Sequence, residues 1–283
     1  MRGMKYILAV SGGVDSVVLL DLLAKSGKYD LVVAHFDHGI RESSSSDARF
    51  VEALAEKYGL PFEMKREELG KKASEDFARS RRYDFLFGLA NKYQAKVVTA
   101  HHQDDIVETM VINLMRGTRW RGIAGMSDER IIRPFAKYTK QDIYKYALRH
   151  HLEWCEDETN ASDKYARNNV RRKIGLNLDN ATKRELMKIW KNQLQLRREI
   201  ELEGSKFDDL MTSRYFLINI PLFVSEELLY QSVLKKTGTS LLSSQIARLM
   251  VAVRTGRAGT KWQIASHVEV KLTQKTVTID RVD

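Results

Sequence analysis

The stretch Lys5-Tyr6-Ile7-Leu8-Ala9-Val10-Ser11-Gly12-Gly13-Val14-Asp15-Ser16 decides how this chain is read. Lys5–Val10 is a mainly apolar run that ends in Ser-Gly-Gly, the pattern of a buried strand and its turn. Asp15–Lys25 follows with Val17, Val18, Leu19, Leu20, Leu22 and Leu23, a helix. Glycines let a backbone approach a ligand closely. The free amides and dipole of a helix start favour an anion. Ser11 and Ser16 add hydroxyl donors. Asp15 would repel a phosphate unless a cation bridged the two, so the run implies Mg²⁺ held at Asp15. No GxxxxGK[ST] occurs, which excludes the kinase and GTPase type of phosphate loop. An ordinary glycine turn with a Ser/Asp cap accounts for Ser-Gly-Gly alone, but not for all six residues Ser11, Gly12, Gly13, Val14, Asp15 and Ser16 after a buried first strand.

Outward from this run the first half alternates. Strands are expected at Leu31–His35, Pro61–Lys65 and Lys96–Ala100, and helices at Ser46–Tyr58, Ser74–Tyr93 and Asp104–Met115. Such alternation implies right-handed crossovers and a mainly parallel sheet covered on both faces, with ligands beyond the carboxyl ends of the strands. Three of those ends carry unusual polar sets: Ser11–Ser16, His35–Arg41 and His101–Glu108. After Pro134 the pattern changes. Helices are expected at Thr139–His151, Lys164–Ile174, Ser225–Lys236 and Ser243–Thr255. A long basic-faced helix is expected at Asn180–Glu203, and strands at Arg214–Ile220, Val268–Leu272 and Thr276–Asp280.

Composition bounds the answer. The chain has 283 residues, 43% hydrophobic and 30% charged, a globular composition with a soft prior of two domains. One cysteine, Cys155, excludes a disulfide framework, a Cys-cluster zinc site and a Cys-ligated iron–sulfur cluster, and fits a reducing cytoplasmic compartment. No apolar run approaches the roughly 18 residues of a membrane span. The N-terminus passes directly into the first strand, so neither a signal peptide nor a membrane is expected. The formal net charge is +10, and residues 161–200 hold eleven Lys/Arg against four Asp/Glu. That local excess suggests nucleic acid; a solvated helix face is the plain alternative.

Asp105 and Glu108 are three apart and share a helix face. The pair suits a cationic amine or a second metal. His101-His102 lacks further ligands at a zinc spacing. Arg79 and Arg82, also three apart, suit a phosphate, RNA, or a charged intermediate. Arg167 and Arg171 are one helical turn apart and repel each other unless an anion sits there. Trp120 could stack on a base, but reads more simply as core.

The run Ser11–Ser16 resembles the PP-loop signature, SGGxDS, of the N-type ATP pyrophosphatases. Further runs resemble one family within it, tRNA(Ile)-lysidine synthase: His35-Phe36-Asp37-His38-Gly39-Ile40-Arg41; Ala78-Arg79-Ser80-Arg81-Arg82-Tyr83; His101-His102-Gln103-Asp104-Asp105 with Glu108-Thr109; Asn113-Leu114-Met115-Arg116-Gly117; Arg133-Pro134; and Asp157–Arg171 with Arg167-Asn168. Ile106 stands where that family usually has Gln, and Lys140 where Arg is common. The resemblance covers about residues 5–175; the C-terminal part resembles only the family's first, short C-terminal domain.

The resemblance implies an adenine-nucleotide α-hydrolase-like α/β domain over 1–178, a linker helix over 179–204 and a small α+β tRNA-binding domain over 205–283. It implies ATP with Mg²⁺, free L-lysine and tRNA(Ile) with a CAU anticodon, and is compatible with a homodimer. The expected ATP contacts are Ser11–Ser16 and His35. The expected catalytic residues are Asp15, Asp105, Glu108, His101 and Arg82, with Asp105, Glu108 and His101 as candidate bases. The expected tRNA contacts are Arg79, Arg116, Arg167, Asn168 and Arg171. Two rival readings are another PP-loop ATP pyrophosphatase acting on tRNA, such as a thiolase, and an inactive RNA-binding module. The single cysteine counts against the first, and the intact loop against the second.

Overall fold

The structure, a computed structural model, describes residues 4–39, 44–70, 74–116, 120–155 and 178–282. The expected helix Lys164–Ile174 lies outside the described residues. Strands β1 (Lys5–Ala9), β2 (Asp30–Asp37), β3 (Phe62–Arg66), β4 (Lys96–Val98) and β5 (Ile131–Ile132) form a five-stranded sheet in the order β3-β2-β1-β4-β5. Every pairing in it is parallel. Parallel strands need long crossovers that place helices on the faces, so both faces are buried. Successive residues of β1 show it. Leu8 packs with Val18 and Leu19 of α1 (Val14–Ser26), Val51 and Ala55 of α2 (Ser44–Lys57), and Ile143 and Ala147 of α6 (Lys140–Arg149). Ile7 packs on the opposite face with Leu86, Leu89 and Ala90 of α3 (Glu75–Tyr93).

The strand order reverses at β1. The chain leaves β1 toward β2 on one side, and β4 flanks it on the other. The two connections diverge and leave a crevice beyond the carboxyl ends of β1 and β4. The glycine-rich run lies at one of those ends. At the other lies the start of α4 (Gln103–Met115).

A buried carboxylate fixes the helix that carries the loop. Asp21 of α1 is fully buried. It accepts hydrogen bonds from Tyr58 Oη at 2.5 Å and Tyr146 Oη at 2.8 Å, and pairs with Lys25 at 2.8 Å. Burial alone would raise its pKa; the bonds from Lys25 and the two tyrosines outweigh burial and hold it below the ordinary range.

The chain divides into two compact units, residues 1–116 with 125–189 and residues 117–124 with 190–283. The division falls inside helix α7 (Asn180–Ser205). In the second unit α8 (Arg214–Asn219), α9 (Leu222–Thr237) and α10 (Ser243–Thr255) pack against an antiparallel sheet of β6 (Lys261–Ala265), β7 (Val268–Leu272) and β8 (Val277–Arg281). Two expectations need correction. Of the expected strand Arg214–Ile220, Arg214–Asn219 is helical rather than extended: Ser213 Oγ accepts the Phe216 N–H, and the Arg214 guanidinium donates to the Val253 and Gly256 carbonyls. That cap and anchor override the strand preference of Tyr215, Phe216 and Ile218. Strands β5 and β6 were not anticipated.

Removing the Asp21 carboxylate takes the acceptor from two half-buried tyrosine hydroxyls. Asp21→Ala is expected to cost about 3 kcal/mol of stability. Urea unfolding checks this; a change below about 0.5 kcal/mol would contradict it.

Candidate active site

The loop holds itself in shape. Gly12 adopts φ +92°, a conformation open to glycine, and its carbonyl accepts the Cys155 N–H at 3.0 Å. Ser16 Oγ donates to the Gly13 carbonyl at 2.8 Å and accepts the Ser11 N–H at 3.2 Å. The Ser11 and Ser16 hydroxyls lie 3.3 Å apart. Gly13 is the N-cap of α1, so the amides of the first turn open toward the crevice. Val14 points inward and is buried. His35 is buried beneath the loop, where its Nδ1–H donates to the Val10 carbonyl at 2.9 Å. It braces the last residue before the loop. Cys155 packs behind Gly12, and burial with the Asp47 carboxylate pushes its thiol up to about 12, so it stays protonated at neutral pH.

Asp15, in the first turn of α1, faces the start of α4. Its two carboxylate oxygens accept from Lys140 Nζ at 2.7 and 2.6 Å. Lys140 opens α6, and its backbone N–H donates to Asp104 Oδ2 at 2.8 Å. Asp104 Oδ1 accepts from Lys183 Nζ at 2.6 Å. Burial would raise the pKa of Asp104, but the bonds from Lys183 and the Lys140 amide hold it below the ordinary range. The buried His102 imidazole lies among three carboxylates, 3.8 Å from Asp15, 3.7 Å from Asp104 and 3.5 Å from Asp105. Asp105 Oδ2 also accepts the His102 N–H at 2.9 Å, so this carboxylate helps to fix the helix start. Glu108 is buried one turn further along α4.

His101 belongs to a second cluster. Its Nδ1 is hydrogen-bonded to Thr99 Oγ1 at 2.7 Å. Burial, with the charges of Arg79, Arg82 and Arg133, pushes its pKa down to about 3 against the pull of Asp105. It is neutral at physiological pH. Arg79 and Arg82 both lie over the Tyr83 ring, at 5.0 and 5.5 Å. Arg81 turns away to a bidentate pair with Glu67, at 2.9 and 2.7 Å. The charges of three arginines thus bear on His101, and Arg133 was read from sequence only as part of a turn.

Elsewhere, exposed Arg116 ends α4. In the second unit, on the short helix α5 (Trp120–Ile123), the Trp120 ring lies under the Arg121 guanidinium at 4.8 Å, and Arg121 pairs with Glu201 and Glu227. That side of the indole is engaged by Arg121 rather than open to a base. Arg167, Asn168 and Arg171 lie outside the described residues. Reasoning from sequence missed Lys183 and gave Lys140 no role. Among the described residues no group of three or more His, Cys, Asp or Glu is placed to hold a metal by itself. No described helix is long and apolar enough to cross a membrane.

A glycine loop, a helix start and an acidic helix facing each other at the reversal of a parallel sheet define a class. A family model described as a PP-loop domain matches residues 2–178, and the chain belongs to that family. Among characterised proteins it is similar to the tRNA(Ile)-lysidine synthase of Thermotoga maritima, 40% identical over 185 residues, or 61% of this chain and 45% of that one. It is also 40% identical over 176 residues to the tRNA(Ile)-lysidine synthase of Exiguobacterium sibiricum, or 59% of this chain and 42% of that one. The matches thus span less than half of those relatives' length. Among solved structures, the U34-tRNA thiolase NcsA from Methanococcus maripaludis, with its [4Fe-4S] cluster, aligns with a TM-score of 0.55 at 16% identity, over 69% of this chain and 72% of that one. The likeness is one of fold.

The depressed pKa of His101 has a pH consequence. Between about 3 and the ordinary 6.5, the unfolded chain binds a proton that the folded chain refuses. Stability is therefore lost as pH falls from 6.5 and stops falling below about 3. His101→Asn keeps a polar atom toward Thr99 and removes this proton. Its melting temperature should fall less between pH 7 and 4.5 than that of the parent. Equal falls would contradict the buried, neutral imidazole.

Proposed function

We propose that this chain ligates L-lysine to the wobble cytidine of tRNA(Ile) bearing the CAU anticodon, with ATP cleaved to AMP and diphosphate. The observation that carries the reading is the contact of one imidazole, His102, with both Asp15 of the loop and Asp104 and Asp105 of α4. It joins a phosphate-binding loop and an acidic, amine-binding wall into one site. The names of the similar proteins support the same substrate.

In this reading the triphosphate lies on the amides of Gly12–Ser16 with the Ser11 and Ser16 hydroxyls as donors, and His35 holds the loop from below. The cytidine carbonyl oxygen attacks the α-phosphorus and diphosphate leaves, forming a P–O bond as another breaks. The lysine ε-amine then attacks the ring carbon that bears this oxygen, and AMP departs with the oxygen. The amine loses a proton on the way. Asp105 and Glu108 are the acceptors we assign, and His101 stays neutral among the arginines. Arg79, Arg82 and Arg133 face the negative charge that develops on the adenylated intermediate. Asp15 fits a divalent cation, because its two oxygens already hold an ammonium at 2.6–2.7 Å and magnesium commonly takes one or two carboxylates plus phosphate oxygens. Bound there, magnesium would supply charge neutralisation. Residues 1–178 form the catalytic domain in this account and 205–283 a tRNA-binding domain. The setting is the cytoplasm. The thiolase alternative is disfavoured by one cysteine, whose thiol is packed behind Gly12.

Incubation with ATP, labelled lysine and total tRNA, followed by nucleoside analysis, tests the reading. Labelled lysidine is the expected product; ATP turnover with no label in any tRNA moves the assignment to another PP-loop reaction. Asp15→Asn is expected to abolish adenylation while tRNA affinity stays within about twofold. Near-normal adenylation by that variant would remove the assigned role.

Replacing both Arg167 and Arg171 by Ala should lower the slope of log affinity against log salt by about 1.5, at roughly 0.7–0.9 per phosphate contact. Filter binding across a salt series reads this. An unchanged slope would move the tRNA face to Arg79, Arg82 and Arg116.

A further inference from the structure

The glycine loop contains no cation. Ser11–Ser16 offers amides, hydroxyls and one negative charge. A departing diphosphate needs positive charge near its β- and γ-phosphorus atoms, and in loops of the GxxxxGK[ST] type a lysine of the loop supplies it. Here the cations that reach the loop's Asp15 and the facing Asp104 come from remote parts of the chain. Lys140 Nζ sits against both Asp15 oxygens, and Lys183 Nζ against Asp104 Oδ1. The arrangement is a relay of alternating charge: Asp15, Lys140, Asp104, Lys183. Asp104 takes the Lys140 backbone N–H with one oxygen and the Lys183 ammonium with the other. The side chains of Asp104 and Lys183 are each only 16% exposed, whereas that of Lys140 is 46% exposed. The inner pair is therefore the more enclosed, and the outer ammonium lies on the more open side of the site.

Resting on the nucleotide reading above, we propose that Lys140 is the cation that binds the β- and γ-phosphates and neutralises the leaving diphosphate, and that the Asp104–Lys183 pair positions it. When the nucleotide enters, the Lys140 ammonium moves from the Asp15 carboxylate to the phosphate oxygens, and the Asp15 oxygens become available to the cation that accompanies the nucleotide. Lys183 acts through Asp104. By neutralising it, Lys183 keeps that carboxylate oriented on the Lys140 amide, which sets the first turn of α6 and hence the reach of its side chain. No bond is made or broken by either lysine.

Diphosphate and AMP serve as separate probes of the two halves of the nucleotide. The full chain, with Mg²⁺ present, is titrated with each by calorimetry, and the same ligands are used as product inhibitors of the overall ligation. Lys140→Ala should weaken diphosphate binding about tenfold or more, the size of a charge-assisted hydrogen bond, with AMP affinity within about twofold. Lys140→Arg should recover most of the loss. Lys183→Ala should weaken diphosphate binding by a smaller factor, again with AMP unchanged, and raise the KM for ATP more than it lowers kcat. Equal weakening of diphosphate and AMP, or no change in either, overturns the proposal. So does failure of the Arg variant to restore binding while its melting temperature matches the parent. The binding arm needs neither tRNA nor lysine. Diphosphate binding that depends on Lys140 in a chain that makes no lysidine would sink the tRNA reading and leave this inference standing.

Discussion

The site depends on the placement of one carboxylate. Asp15 stands in the first turn of α1, where helix amides already favour negative charge, and it points at a crevice that must accept a polyanion. A carboxylate there is stabilised by the helix and opposed by any phosphate, so it has to be balanced by a positive partner. In this structure the Lys140 ammonium provides the balance. The rest of the first unit serves that geometry. The fully buried Asp21 ties α1 to Tyr58 and Tyr146, and the Tyr146 bond joins α1 to the helix that Lys140 opens. His35 holds the end of β1 beneath the loop.

The adjacent histidines at the end of β4 divide the crevice into two electrostatic regions. His102 gathers carboxylates, and beside them lie the two lysines that pair with Asp15 and Asp104. His101 lies among arginines and is held neutral. An amine substrate and an anionic reacting centre have opposite needs, and two such regions a single residue apart meet both. The juxtaposition suits the proposed adenylation of a base followed by amine attack.

Much of this was legible in the sequence, for a physical reason. Loop, histidine pair and acidic helix start are each contiguous, since a strand end and the following helix N-terminus place neighbouring residues in one site. The alternation of strands and helices gave the parallel sheet because each apolar run is long enough to be covered on both faces. What sequence could not show was long-range. Lys140 lies 125 residues from Asp15 and was marked only as a basic residue where Arg is common, and Lys183 lies 79 from Asp104 with no motif to mark it. The bracing role of His35 depends on a backbone carbonyl 25 residues away. Arg81, next to the Arg79 and Arg82 pair in sequence, is spoken for by Glu67. Arg214–Ile220 misled because its aromatic and β-branched residues favour strand, and only the Ser213 cap and the Arg214 anchor decide for helix.

The central claim is that the glycine loop and the facing acids activate a tRNA base, and the exchange of labelled diphosphate into ATP tests it most directly. In the proposed reaction adenylation of the cytidine precedes lysine attack, so exchange should require tRNA with a CAU anticodon and proceed without lysine. Exchange of equal rate when tRNA is omitted, or exchange that requires lysine but not tRNA, would contradict the account.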